Sequence, residues 1–153
     1  MLARTSKKKE PTYPTPKYKY LNMEEMRNME VKFRHIARAI IVHENKILIA
    51  RLKGAHSFLP GGSIDLGEGA QNALKRDLYE ELGAKCTVKR FIGVVEAHRV
   101  DEKGALQHEI SYLFEVNSED LKSDCTPISK EDHLEFYWID LTTESIKKQN
   151  VLP

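Results

Sequence analysis

The feature that most constrains this 153-residue chain is the run Gly61–Ala84, GGSIDLGEGAQNALKRDLYEELGA, in which a glycine-rich loop leads into an acid-bearing helix. Residues 70–82 (AQNALKRDLYEEL) are strong helix formers throughout, and Gly83 supplies a C-terminal stop. At about 100° per residue, Leu74, Leu78 and Leu82 form an apolar stripe, and Asp77, Glu80 and Glu81 fall within about 100° of arc. Glu81 lies only about 20° from Leu74 on that wheel. A surface helix ordinarily keeps its charges opposite the stripe. Acids at its edge suffer desolvation and mutual repulsion, so this cluster needs a compensating positive charge.

A divalent cation supplies that charge economically. Mg²⁺ takes oxygen ligands, typically a few carboxylates together with waters and substrate phosphates. Glu68 in the loop adds a further carboxylate, and the loop glycines let backbone carbonyls and amides come close to an ion. Arg76 is spaced to pair with Glu80 one turn on and so hold the helix face in place. The plainer alternative is an amphipathic helix with a solvated acidic face, since Glu and Lys are good helix formers in any case.

Around this segment the chain reads as one domain, since single cores run to roughly 100–200 residues. Hydrophobic content of 41% and charged content of 31% fit a globular protein and exclude a disordered one. No apolar run approaches the roughly 18 residues that a membrane span needs, so no spanning helix is predicted. The net charge of +1 gives no global field to steer a polyanion. Cys86 and Cys125 form neither a zinc pattern nor a disulfide framework, which makes a reducing, cytoplasmic setting the default expectation.

The overall balance hides an asymmetry. Residues 1–20 carry Arg4, Lys7, Lys8, Lys9, Lys17 and Lys19 against Glu10 alone, a net of +5, so the remaining 133 residues net −4. With no apolar core this stretch is not a secretory signal. It reads as a solubilising tail or, alternatively, as a phosphate-binding arm with Tyr13, Tyr18 and Tyr20 available to stack on bases. Residues 22–30 are expected to form one or two helical turns, Asn22 and Glu25 resembling a capping box. Residues 1–32 are therefore set apart from a domain over 33–153.

Within that domain, residues 36–42 and 47–52 are rich in β-branched side chains and flank a short turn at His43–Lys46, a hairpin signal. Lys53–Gly69 reads as a loop. Further strands are expected at Val88–Ala97, His108–Val116 and Leu134–Ile139, with a final helix over Asp140–Gln149 capped by Asp140 or Thr142. The order implies an α/β fold, a mixed sheet with helices packed on it.

The spacing of the central run resembles the Nudix box, G-x5-E-x7-R-E-U-x-E-E-x-G-U, where U is a bulky aliphatic residue. Seven of the nine specified positions match: Gly62, Glu68, Arg76, Leu78, Glu80, Glu81 and Gly83. Ala84 is a small apolar residue at the last position, and Phe58-Leu59-Pro60-Gly61 is similar to the usual approach to that box. The resemblance implies a Nudix-type α/β/α sandwich with a mixed sheet over most of residues 33–150. The one departure is Asp77, which stands where the family has Glu; losing a methylene retracts its oxygens by roughly 1.5 Å. Asp77 then acts through a bridging water, or the site is slower, or the base comes from outside the box, where Glu109, Glu131 and Glu135 are the candidates.

The same resemblance implies Mg²⁺- or Mn²⁺-dependent hydrolysis of a pyrophosphate bridge in a nucleoside diphosphate linked to another moiety, the metal offsetting the repulsion between an anionic substrate and an acidic helix. It assigns Glu80 and Glu81 as metal ligands, the Gly62 carbonyl as a backbone ligand, Glu68 as a ligand or supporting acid, Asp77 as ligand or base, and Arg76 as an orienting partner. Gly61 and His56 are substrate-binding candidates; Phe58 stacks on a base or packs in the core. His35, His43, His98, His108 and His133 show no metal-ligand spacing and read as structural or exposed, and Trp138 reads as core. Two other functions stay open: a catalytically weakened nucleotide-binding or regulatory module, and a hydrolase of RNA ends that uses the basic tail. A nucleotide-type small molecule is the expected partner, with no membrane, nucleic acid only in the RNA-end reading, and a homodimer in keeping with many relatives of the fold.

Overall fold

The structure, a computed structural model, describes residues 23–101, 103–149 and 151–152. The basic tail and the Asn22 cap lie outside the described residues. The expected helical turns are present as α1 (Met23–Asn28).

Ile47, Leu48, Ile49 and Ala50 are all buried, so strand β3 (Lys46–Leu52) is covered on both faces. Its alternate residues feed two apolar clusters. Leu48 and Ala50 join the main core, and Ile47 and Ile49 join a smaller one with Ile139 and Ile146. β3 is the hub of one sheet. It pairs antiparallel with β2 (Val42–His43), β4 (Ser57–Phe58) and β8 (Leu134–Asp140), while β9 (Val151–Leu152) adds to β4 in parallel. The expected hairpin turn tightens to Glu44 and Asn45, both at positive φ (47° and 60°), the geometry a two-residue turn needs to match strand twist.

The second sheet is mixed and runs β5-β1-β7-β6. β1 (Val31–Ile40) lies parallel to β7 (Leu106–Asn117) and antiparallel to β5 (Gly61–Ser63), and β6 (Thr87–Val100) is antiparallel to β7. Three short strands, β4, β5 and β9, went unforeseen. β4 and β5 fall inside the glycine-rich loop, where tertiary pairing with β3 and β1 overrides local sequence.

Helix α2 (Ala70–Leu82) spans the residues expected of it and packs on β1 and β5. Gly69 offers it no side-chain cap, so its stability rests on burying Ala73, Leu74 and Leu78. Truncating either leucine would cost about 2–5 kcal/mol. The last helix, α3 (Thr143–Lys148), is capped by Thr142, whose Oγ1 accepts from Ser145 N at 3.1 Å, while Asp140 ends β8 instead. Ile146 of α3 covers the second cluster, giving the layered α/β/α arrangement with a mixed sheet. No helix among the described residues is long and apolar enough to cross a membrane.

Candidate active site

The site begins where β5 meets α2. Gly61 takes φ 123°, and a Cβ there would stand 2.8 Å from Leu74 Cδ1. At Gly62 a Cβ would stand 2.7 Å from Asp77 Oδ2. Backbone and carboxylate are thus pressed together at a point where only glycine fits.

Arg76 is the hub of the acidic face. Its Nε and Nη2 donate to Glu68 Oε1 and Oε2 at 3.0 and 2.8 Å, a two-pronged pair, and Nη1 donates to Asp77 Oδ1 at 2.6 Å. Nη2 also donates to Ser63 O at 3.2 Å, tying the loop to the helix. The expected i,i+4 pair with Glu80 is present but longer, at 3.6 Å, and Glu80 is solvent-exposed. Arg76 holds the Glu68 carboxyl below its usual range, and Glu68 in turn raises the guanidinium's pKa.

Two acids each keep one oxygen without a partner. Burial raises Asp77 to about 6, the repulsion of Glu80 and Glu68 adding to it and Arg76 opposing it. Burial raises Glu81 to about 8, with Asp77 adding to the shift. Asp77 Oδ2 and Glu81 Oε2 are buried without a hydrogen-bond partner. An orphaned carboxylate oxygen is costly and marks a place for a ligand or ion. Among the described residues no three His, Cys, Asp or Glu side chains already converge on one point, since Arg76 draws Glu68, Asp77 and Glu80 toward itself. The donor set is nonetheless hard oxygen, the chemistry that suits Mg²⁺ or Mn²⁺.

A cleft of about 570 Å³ opens beside these acids. It meets the cluster at Gly62 and Glu81, and His56, Phe58 and Gly61 also line it. Phe58 belongs to the main core as well, beneath the Arg38 guanidinium at 4.8 Å from the ring centroid. Arg38 is only 8% exposed. Its Nη1 donates to the carbonyls of Gly61 at 2.9 Å and Leu59 at 3.2 Å, and its Nε lacks a partner. Burial lowers the pKa of this arginine, with Glu109 as the main opposing influence.

Sequence reading missed much of this wall. Arg34, Arg38, Arg99 and Gln107 line the cleft, and so do His98, His108 and His133, which had read as structural or exposed. His35 and His43 keep that reading, His35 beside Phe33 and Tyr112 and His43 hydrogen-bonded to Ser123. The available signal was period-two alternation of basic residues in β1, Arg34 and Arg38 flanking buried Ile36. Of the acids outside the box, Glu109 lines the cleft, with Arg34 at 3.6 Å and Ser111 Oγ donating to it at 3.1 Å. Glu131 adds repulsion on Glu81 and lies 3.4 Å from His133. Glu135 is engaged by Arg51 at 2.7 Å and is not part of the cleft wall. Trp138 packs on the main core, as expected.

Known proteins share this architecture. An ADP-ribose pyrophosphatase of Methanocaldococcus jannaschii is 36% identical over 80 residues, which span 49% of this chain and 45% of that protein. The match thus extends over about half the length of that relative. The fold is similar to that of the MutT protein from Methanosarcina mazei Go1, with a TM-score of 0.58, 18% identity and coverage of 82% of this chain and 88% of that one. It is also similar to the MutT NUDIX hydrolase from Burkholderia pseudomallei, with a TM-score of 0.51, 24% identity and coverage of 77% and 98%. The family model of the NUDIX domain matches residues 33–151, from the strand that carries Arg34 and Arg38 to β9 of the sheet built on β3, and the chain belongs to the Nudix family.

Proposed function

We propose that this chain hydrolyses the pyrophosphate linkage of a nucleoside diphosphate joined to another moiety, with Mg²⁺ or Mn²⁺ as cofactor. One observation carries the reading: Asp77 and Glu81 each keep a buried, unpartnered oxygen, and Glu81 lines a cleft walled by arginines, with Asp77 behind Gly62 at its edge. Acids seeking a cation and cations seeking an anion stand side by side, and a metal-complexed diphosphate satisfies both. Nudix hydrolases generally depend on divalent metal. The Methanocaldococcus jannaschii relative is an ADP-ribose pyrophosphatase, which makes ADP-ribose the first substrate to try.

Asp77, Glu80 and Glu81 would hold the metal, with the Gly62 carbonyl beside them, and Glu68 would steady the group through Arg76. When bound, the ion neutralises phosphate oxygens and makes attacking water more acidic. The chain's residues do the rest. Arg38 braces the Leu59 and Gly61 carbonyls, so the glycine turn keeps its place against Asp77. Arg34, Arg38 and Arg99 attract the diphosphate and His56 adds a donor at the entrance, while Phe58 and Leu52 provide apolar wall. Water attacks one phosphorus, the bridging P–O bond breaks, and two phosphate monoesters leave. The proton goes to Asp77 in the box or to Glu109, which lines the cleft. Such chemistry is mostly positioning and charge stabilisation.

The test is phosphate release from a nucleotide panel headed by ADP-ribose, with Mg²⁺ or Mn²⁺ and a coupling phosphatase, using Glu81→Gln as the blank. Turnover well above the blank is expected. Equal signal from both proteins refutes the site, and nucleotide binding without turnover identifies a binding module instead.

A further inference from the structure

The longest irregular stretch among the described residues, 118–133, joins β7 to β8. Loops beyond about 12–15 residues with no regular structure are uncommon and tend to serve function. This one delivers His133 to the cleft wall. Glu131 lies 3.4 Å from the His133 ring and within electrostatic reach of Glu81. So long a segment needs an anchor if His133 is to keep one place.

The anchor sits at the far end of α2. Lys130 N donates to Glu81 O at 2.7 Å, giving a partner to one of the carbonyls that a helix C-terminus leaves free. The Lys130 side chain then lies across Gly83. A Cβ on that glycine would stand 2.6 Å from Lys130 Cε and 2.7 Å from Nζ. The ammonium ends over the Tyr79 ring, 5.2 Å from its centroid.

Three features of α2 find their reason in this contact. Tyr79 is an aromatic left 55% exposed on a surface helix, and its ring is a platform for the cation. The last turn of α2 holds no basic residue of its own, and Lys130 brings the charge that offsets the helix dipole. Gly83 ends the helix at φ 67°, a conformation that asparagine also adopts, but only a residue without a Cβ leaves room for the lysine. Beyond the anchor the chain is braced as far as the cleft. Ser129 Oγ donates to Glu131 O at 2.9 Å and accepts from Glu131 N at 3.1 Å, and Lys53 N donates to His133 O at 3.0 Å.

We propose that Lys130 is a positioning residue: seated on Gly83 and over Tyr79, it docks the 118–133 segment on α2 and so fixes His133 in the substrate-binding wall. The docking stands on its own geometry, whereas its effect on substrate rests on the hydrolase reading.

Hydrogen exchange on the full chain without substrate measures the docking. Lys130→Met keeps the stem and removes the charge. Tyr79→Leu removes the ring from an exposed position and keeps a good helix former. Both are expected to speed exchange several-fold over residues 126–133 and to leave residues 70–78 of α2 unchanged. Gly83→Asn, which tolerates the backbone but fills the seat, is expected to match them. Tyr79→Phe keeps the ring face and is expected to exchange as wild type does. Unchanged exchange over 126–133 in both Lys130→Met and Tyr79→Leu overturns the proposal. So does an equal rise within α2, which marks a general loss of stability. Steady-state kinetics measures the consequence. Lys130→Met and Tyr79→Leu are expected to raise KM several-fold at nearly unchanged kcat, the pattern of lost uniform binding, with Tyr79→Phe at the wild-type KM. A wild-type KM in a variant whose loop has loosened overturns the positioning role. Absence of turnover from wild type refutes the hydrolase reading instead, and exchange alone then decides the docking.

Discussion

The acidic helix face and the cationic cleft beside it are assembled by opposite routes. Glu68, Arg76, Asp77, Glu80 and Glu81 come from one short stretch of chain, and Arg76 serves Glu68, Asp77 and Glu80 at once. The cleft draws Arg34 and Arg38 from β1, His56 and Phe58 from the loop, Arg99 from β6, Gln107 and Glu109 from β7, and His133 from the approach to β8. One region is an acid cluster short of a cation, and the other is a basic wall short of an anion. Their meeting point, at Gly62 and Glu81, is where a substrate carrying both charges has most to gain. The sharpest way to break this picture is to remove the acid at that junction.

Glu81→Gln is expected to lower kcat by roughly 10²–10³-fold, the scale set by removing one group that acts on developing charge. The same variant is expected to be more stable at neutral pH, because a buried and partly uncompensated acid disappears. Lower turnover with a higher Tm marks a group kept for chemistry. Lower turnover with a lower Tm would reassign Glu81 to structure.

The contrast also explains what was legible beforehand. The helix over Ala70–Leu82 and its crowded acids were visible because helical periodicity places residues four apart on one face without help from the rest of the fold. Asp77 at the edge of the apolar stripe proved only 7% exposed, in line with the desolvation expected there. The cleft was not visible, because Arg38 meets Gly61 and Phe58 only through the pairing of β1 with β5. His98 and His108 become neighbours only through the β6–β7 register. No local pattern encodes a parallel β1–β7 contact across some seventy residues. The β4 and β5 strands were hidden for the same reason, their partners lying elsewhere.

The cleft side is probed at Arg38. Arg38→Ala removes two hydrogen bonds to carbonyls and the cation above Phe58. A loss of about 2 kcal/mol in unfolding free energy is expected, with kcat/KM down at least tenfold. Arg38→Lys is expected to recover stability more than activity, since an ammonium cannot lie flat over Phe58 as the planar guanidinium does. Equal recovery of both would make Arg38 a packing residue.

The pH dependence separates the two regions by sign. Asp77 and Glu81 have folded pKa values raised from 3.8 to about 6 and from 4.5 to about 8. Groups raised in this way favour the folded state below their unfolded values and lose that contribution as pH climbs through the folded ones. In chelator, Tm is therefore expected to fall between about pH 5 and about pH 8, by the equivalent of on the order of 2 kcal/mol once partial exposure is discounted. Glu81→Gln should flatten the fall, and added Mn²⁺ should raise Tm most at the alkaline end, where ionised carboxylates are available to it. A Tm that climbs over that range in chelator contradicts the assigned burial.

The smallest effect is expected at the position where the chain departs from its family's box. Asp77 Oδ1 is held by Arg76 at 2.6 Å, and Oδ2 points at the Gly62 backbone with no partner. Asp77→Glu adds a methylene to a buried site, so overpacking opposes it. The longer chain also carries the carboxylate past Gly62 toward Glu81 and the mouth of the cleft. Turnover is expected to rise about three- to tenfold, close to 1 kcal/mol in barrier, for a slight loss of Tm. If turnover falls along with Tm, the short side chain is matched to this glycine turn, and the base is to be sought at Glu109. A Glu109→Gln variant then distinguishes the two sides of the cleft. It should abolish the dependence of kcat on a single ionising acid if Glu109 is the base, and leave that dependence intact if Asp77 is.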